Sequence, residues 1–222
     1  MHETHPRNDS REVVSLLFGP QGSMTSDSMQ EMRSFLQENP DLDFLSRAIS
    51  ELPALWPDIL DVCPQLDRVP GRKKLTDLCN FFQGGEPLIN LGPIDNLLLS
   101  PLGVISQIIE FWKLSHGFCG GPAIEGQFSE VQGFCLGFLT AIAISCSRNE
   151  AQFQDLCCKA VRLALCMGAL VDSDALQYSE AQDCAVTIAV RWKSSAHLQH
   201  LEHTSKLYPR VSEALPQVMS TS

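Results

Sequence analysis

The chain reads as a helix-rich α/β domain with a parallel sheet, and three observations carry that reading. Residues 13–18, Val13-Val14-Ser15-Leu16-Leu17-Phe18, form a short apolar run stopped by Gly19-Pro20, the pattern of a strand buried in a parallel sheet. Apolar residues then recur at helical spacing through much of residues 26–114. Last, Gly133-Phe134-Cys135-Leu136-Gly137 sets one cysteine between glycines two positions away on either side, ahead of the apolar residues 139–146. That spacing belongs to the sharp strand-to-helix turn called a nucleophile elbow, here in its cysteine form, as seen in hydrolase-like folds.

After the first strand, Ser26 and Asp27 are expected to cap a helix with Met29, Met32, Phe35 and Leu36 on its apolar face, ending near Asn39-Pro40. Leu42, Leu45, Ile49 and Leu52 predict a second, interrupted by Pro53 and Pro57; Leu75, Leu78, Cys79 and Phe82 predict a short third one before Gly84-Gly85. A long buried helix spans residues 97–114 through Leu98, Leu102, Ile105, Ile108, Ile109 and Trp112. The connection from His116 through Gly117, Cys119, Gly120, Gly121 and Pro122 delivers the chain to the elbow strand and lacks the spacing of a phosphate-binding loop. Small residues Ala141, Ala143 and Ser145 let the helix after the elbow lie close to a sheet. Ser147 to Glu150 reads as a capping box for a helix presenting Phe153, Cys157, Ala160, Ala164 and Met167, with Gly168 near its end. Residues 185–192 alternate as a strand does, residues 194–207 predict a helix, and residues 209–222 a frayed tail.

Composition narrows the function. A length of 222 residues with 44% apolar content supports a real core. A formal charge of −10 argues against nonspecific nucleic-acid binding. With no signal peptide and no apolar run near the roughly twenty residues that cross a bilayer, a cytoplasmic protein without a membrane partner is expected. The nine cysteines sit largely in apolar segments without paired C-x-x-C spacing, so those other than Cys135 read as reduced core residues. No metal is expected: His197, His200 and His203 lie at i, i+3 and i+6, where directions drift by about 60° per step, so they converge poorly on one ion. The one dense cationic run, Arg72-Lys73-Lys74, is either a solvated turn or a patch that steers an acidic partner.

At the elbow, Gly133 and Gly137 are required because a Cβ at either would meet the crossing backbone. Cys135 is then presented outward as a nucleophile, and Leu136 offers its backbone N–H at a helix N-terminus, where an oxyanion is stabilised. The competing reading of the same spacing is a buried structural cysteine beside two packing glycines.

The segment Val131-Gln132-Gly133-Phe134-Cys135-Leu136-Gly137-Phe138-Leu139-Thr140-Ala141-Ile142-Ala143-Ile144-Ser145-Cys146-Ser147-Arg148 closely resembles the nucleophile segment of the starter-unit acyl-carrier-protein transacylase domain that opens fungal non-reducing polyketide synthases. Leu17-Phe18-Gly19-Pro20-Gln21 resembles that family's opening strand and Leu-Phe-Gly-Asp-Gln turn, with Pro20 where Asp is usual. The resemblance implies an acyltransferase core over residues 13–183 after a loose tail at 1–12, with 184–222 starting a ferredoxin-like insert and ending in a tail. It implies that the Gln21 backbone N–H is the second oxyanion donor, where the residues alone read equally as an ordinary strand-to-helix turn. It further implies an acyl-coenzyme A or phosphopantetheine thioester as substrate, no bound cofactor, and an acyl-carrier protein or polyketide synthase as partner.

The family's catalytic histidine lies in the second half of the domain, so the chain is expected to hold the nucleophile without that partner and to be a truncated core. His116 is the histidine nearest the elbow in sequence and is the candidate base. Three functions stay open: starter-unit loading through a Cys135 acyl-enzyme, a catalytically silent remnant that binds a carrier protein or synthase, and a cysteine thioesterase or hydrolase.

Overall fold

The structure, a computed structural model, describes residues 15–19, 24–85, 96–119, 128 and 130–180. The chain divides into two compact units, residues 1–174 and 175–222. The elements below belong to the first, apart from the last turns of the final helix. The predicted strand and helix at 185–207, the three histidines there, Gln21 and the proposed ferredoxin-like insert fall outside the described residues.

Strand β1 (Ser15–Phe18) pairs in parallel with β2 (Glu130–Gly133), Ser15 facing Glu130 and Phe18 facing Gly133. The connection between them carries α1 (Ser26–Glu38), α2 (Asp43–Val62), α3 (Gly71–Phe82) and α4 (Asn96–Cys119). Helices α5 (Gly137–Ser145) and α6 (Glu150–Glu180) follow β2. The result is the expected α/β class, with a small parallel pair among helices. β1 is not buried on both faces as predicted, because Leu16 and Phe18 turn inward while Leu17 stands 73% exposed.

Several helix ends differ from the sequence reading, each for a local reason. The cap of α1 is Thr25, not Ser26 or Asp27, because Thr25 holds the extended backbone that a cap needs. Its hydroxyl accepts from the Ser28 amide at 3.1 Å, and the Ser28 hydroxyl accepts from the Thr25 amide at 2.8 Å. Helix α2 continues through Pro53 and Pro57. Proline at 53 has no N–H for the Ile49 carbonyl, and the Cys79 thiol of α3 donates to that carbonyl instead, at 3.0 Å. A bond from a neighbouring helix thus replaces the one the proline removes, in a place where both residues are buried. Helix α4 absorbs residues 116–119, which the sequence suggested were a glycine-rich loop.

At α6 the cap is Asn149, whose side chain accepts from the Gln152 amide at 3.0 Å. Ser147, expected as the cap, turns back and donates to the Ala143 carbonyl of α5. Gly168 does not end α6; it is a window in its middle. A Cβ there would run into the Asn96 carbonyl at the start of α4. One turn on, the Asp172 carboxylate accepts from the Asn96 and Leu97 amides at 3.1 and 2.8 Å, capping α4 from another helix. Met167, predicted on the inner face, is 41% exposed, and Val161, Leu165 and Ala169 complete that face instead.

The core lies between α2, α4 and α6. Leu45, Ile49 and Leu52 of α2 and Leu97, Leu102, Ile105 and Ile108 of α4 are almost wholly removed from water, each contributing about 1.5–3 kcal/mol of burial. Phe153 joins these layers, with ring centroids 6.0 Å from Phe44 and 5.6 Å from Phe111. Contrary to the sequence reading, the segment Asn96–Gly117 is long and apolar enough to span a bilayer. It is 61% buried inside the fold, as a core helix is. Of the cysteines expected in the core, Cys79 and Cys157 are buried, Cys63, Cys158 and Cys166 are half-buried and Cys146 is exposed.

Candidate active site at the strand-to-helix turn

Between β2 and α5 the chain reverses within three residues, Phe134 to Leu136. Cys135 sits at the apex with φ 56, the left-handed region, and is the only non-glycine residue there among those described. A residue with a Cβ pays about 1–2 kcal/mol to sit there. Backbone bonds hold it. The Phe134 amide donates to the Phe18 carbonyl at 2.9 Å, tying the turn to the end of β1. The Gly137 and Phe138 amides donate to the Phe134 and Cys135 carbonyls, each at 3.1 Å, winding the first turn of α5.

Both glycines are needed where the sequence put them. A Cβ on Gly133 would overlap the Gly137 carbonyl and the Phe138 Cα, and one on Gly137 would overlap the Gly19 and Phe18 carbonyls. All of these are backbone atoms, which cannot move aside as a side chain can. Turn, strand end and helix start therefore pack main chain against main chain.

The Cys135 side chain is exposed. Burial raises the thiols inside the fold, Cys157 well above the ordinary range and Cys79 to about 11, which keeps them protonated and inert. Leu136 points the other way. Its side chain is 3% exposed and lies against Gly103 of α4, where a Cβ would approach its methyl group to 3.1 Å. Among the described residues no hydrogen bond occupies the Leu136 amide, which sits next to the first residue of α5, at the positive end of that helix. The arrangement presents a thiol outward beside a helix N-terminus, which suits attack on an ester or thioester carbonyl.

His116 lies elsewhere. Its ring stacks on Trp112 at 3.7 Å between centroids, with Nδ1 donating to the Trp112 carbonyl at 2.9 Å. It lines a cleft with Asp41, Phe44, Glu150 and Phe153, and among the described residues no hydrogen bond links it to Cys135. Gln21 lies outside the described residues; Gly19, two residues before it, has its carbonyl against Gly137 of the elbow helix. The cationic run Arg72-Lys73-Lys74 forms the first turn of α3, with Arg72 and Lys73 exposed.

Two residues at the site escaped the sequence reading. Gln107 of α4 donates through Nε2 to the Gly19 carbonyl at 2.9 Å, and its Oε1 accepts from the Thr140 hydroxyl of α5 at 2.6 Å. The one available signal was a polar side chain set within each of two apolar helical runs.

Residues 16–214 match the family model described as "Starter unit:ACP transacylase in aflatoxin biosynthesis". The chain is 37% identical over 204 residues to a non-reducing polyketide synthase of Aspergillus novofumigatus, covering 92% of this chain and 9% of that one. It is 36% identical over 220 residues to one of Penicillium roqueforti, covering 95% and 8%, and 39% identical over 191 residues to one of Penicillium rubens, covering 85% and 7%. The chain thus spans less than a tenth of the length of these relatives. On the match over most of its length, the chain belongs to the starter unit:ACP transacylase family.

Proposed function

We propose that the protein is an acyltransferase of fungal polyketide biosynthesis, loading a starter acyl group onto an acyl-carrier protein through a covalent intermediate on Cys135. The observation that carries this reading is the backbone of the elbow: an exposed thiol held at φ 56 between two glycines that admit no side chain. In this reading the substrate is a thioester of coenzyme A or phosphopantetheine, and membership of a starter unit:ACP transacylase family supports it.

In this reading the Cys135 sulfur, as thiolate, attacks the thioester carbonyl, and the Leu136 amide, with that of Gln21, stabilises the tetrahedral oxyanion. Collapse breaks the bond to the departing sulfur, which leaves as coenzyme A or pantetheine thiolate and regains a proton. The carrier's pantetheine thiol then attacks acyl-Cys135, so one thioester is exchanged for another with no net redox change. Each half-reaction needs a proton acceptor. His116 bonds the Trp112 carbonyl through Nδ1 and makes no hydrogen bond to Cys135 among the described residues, so in this reading the base is another group.

Incubation with acyl-coenzyme A of several chain lengths, read by intact mass, tests the proposal. An acyl adduct that disappears in Cys135→Ala supports it, and no adduct in either protein refutes it in favour of a silent binding module. Transfer of the adduct to added holo carrier protein supports the transferase; release only to water supports the thioesterase reading.

A further inference from the structure

We propose that Gln107 is a positioning residue for this acyl transfer, clamping the exit of β1 and the elbow helix at one separation; the proposal rests on the reading of Cys135 given above. The clamp is a single amide used at both ends. Its NH2 donates to the Gly19 carbonyl at 2.9 Å and its oxygen accepts from Thr140 at 2.6 Å. The carbonyl of Gly19 can only accept, which fixes which end of the amide faces it, and the Thr140 hydroxyl then has only the amide oxygen to meet. Thr140 is fully buried within an apolar helix, and its hydroxyl donates to Gln107 of α4 instead of turning back on its own helix as Ser145 does.

The bridged positions are those that matter to an oxyanion. Gly19 is the last described residue of the β1 exit, two residues before Gln21, and its carbonyl is pressed against Gly137. Thr140 lies one helical turn beyond Leu136, on the helix whose first turn the Leu136 amide borders. Two amides from different segments stabilise one oxygen only at a set spacing, and Gln107 bonds both segments from a third element, α4. Apolar contact would keep the segments near each other without fixing that spacing.

The test compares Gln107→Leu, Gln107→Glu, Thr140→Val and Thr140→Ser with the parent chain. Three quantities are read: acylation of Cys135 by acyl-coenzyme A, alkylation of Cys135 by iodoacetamide, and hydrogen exchange in peptides covering β1 and α5. Alkylation passes through no oxyanion, so it reports the thiol and the turn alone. Gln107→Leu and Gln107→Glu, which both lose the donor to Gly19, are expected to slow acylation about 10- to 100-fold at saturating substrate, with KM and alkylation within about twofold. Thr140→Val is expected to follow them and Thr140→Ser to restore the rate. Exchange at β1 and α5 should rise several-fold in Gln107→Leu while that of α2 stays unchanged. Unchanged acylation, or acylation and alkylation falling together, overturns the proposal. If the parent chain takes up no acyl group, the transferase reading fails and exchange alone decides: no rise at β1 and α5 in Gln107→Leu removes the clamp as well.

Discussion

Cys135 should be a place where the protein gives up stability to hold a reactive group, and replacing it with glycine should make the fold stronger. The comparison that isolates the backbone is Cys135→Gly against Cys135→Ala, since both lose the thiol and the side chain is exposed, so packing hardly differs. At φ 56 alanine bears the clash of its Cβ with the following carbonyl, about 1–2 kcal/mol, and glycine does not. Against this, glycine loses about 0.5–1 kcal/mol more conformational entropy on folding. The glycine variant should therefore be more stable than the alanine variant by about 0.7 kcal/mol at mid-range values, within a span of about 0–1.5 kcal/mol, or roughly 1–3 °C in midpoint for a unit of this size. Urea and thermal unfolding of the two proteins, with equal m-values, measure the difference. An alanine variant more stable than the glycine one by about 0.5–1 kcal/mol, the entropy difference alone, would mean that the turn is relaxed at Cys135, and the argument that a strained bend presents the thiol would fall.

Four further outcomes follow from the contacts. Gly137→Ala drives a Cβ into the Gly19 and Phe18 carbonyls, so it should destabilise by about 1–3 kcal/mol and cut Cys135 acylation at least as far, read by urea unfolding and intact mass. Cys79→Ala strips the Ile49 carbonyl of the donor that stands in for Pro53 and should cost about 1–3 kcal/mol in denaturant titration, whereas Cys79→Ser, which keeps a donor, should cost less. Burial raises the Cys79 thiol from 9.0 to about 11, so the stability it contributes is complete below about pH 9 and is lost as pH climbs through 11; that loss, of order 2–3 kcal/mol, should be missing from the pH profile of Cys79→Ala. Asp172→Ala leaves the Asn96 and Leu97 amides without their cap and should cost about 1–2 kcal/mol, a fall in melting temperature that thermal denaturation would show.

Much of the elbow was legible before any coordinates. Gly133, Cys135 and Gly137 announce a turn because the constraint is local: five residues, two forbidden Cβ positions and one left-handed apex. The apolar faces of α1 to α4 were legible for the same reason, since a period of 3.6 residues is written along the chain. Failures came where a distant residue supplied what the local sequence lacked. Pro53 should break a helix and does not, because Cys79, far along the chain, reaches its orphaned carbonyl. Gly168 should stop a helix and instead admits the backbone of another.

The sequence by itself determined the class of fold, the helical faces, the tight bend and the cysteine at its apex, all of which follow from φ preferences, Cβ sterics and apolar periodicity within a few residues. Only the tertiary structure decided that Asp172 caps α4 and that Gln107 joins the Gly19 carbonyl to Thr140. These are pairings between groups 76, 88 and 33 positions apart. At such separations a polar side chain has many chemically equivalent partners along the chain, and the packing of helices around the parallel pair selects one.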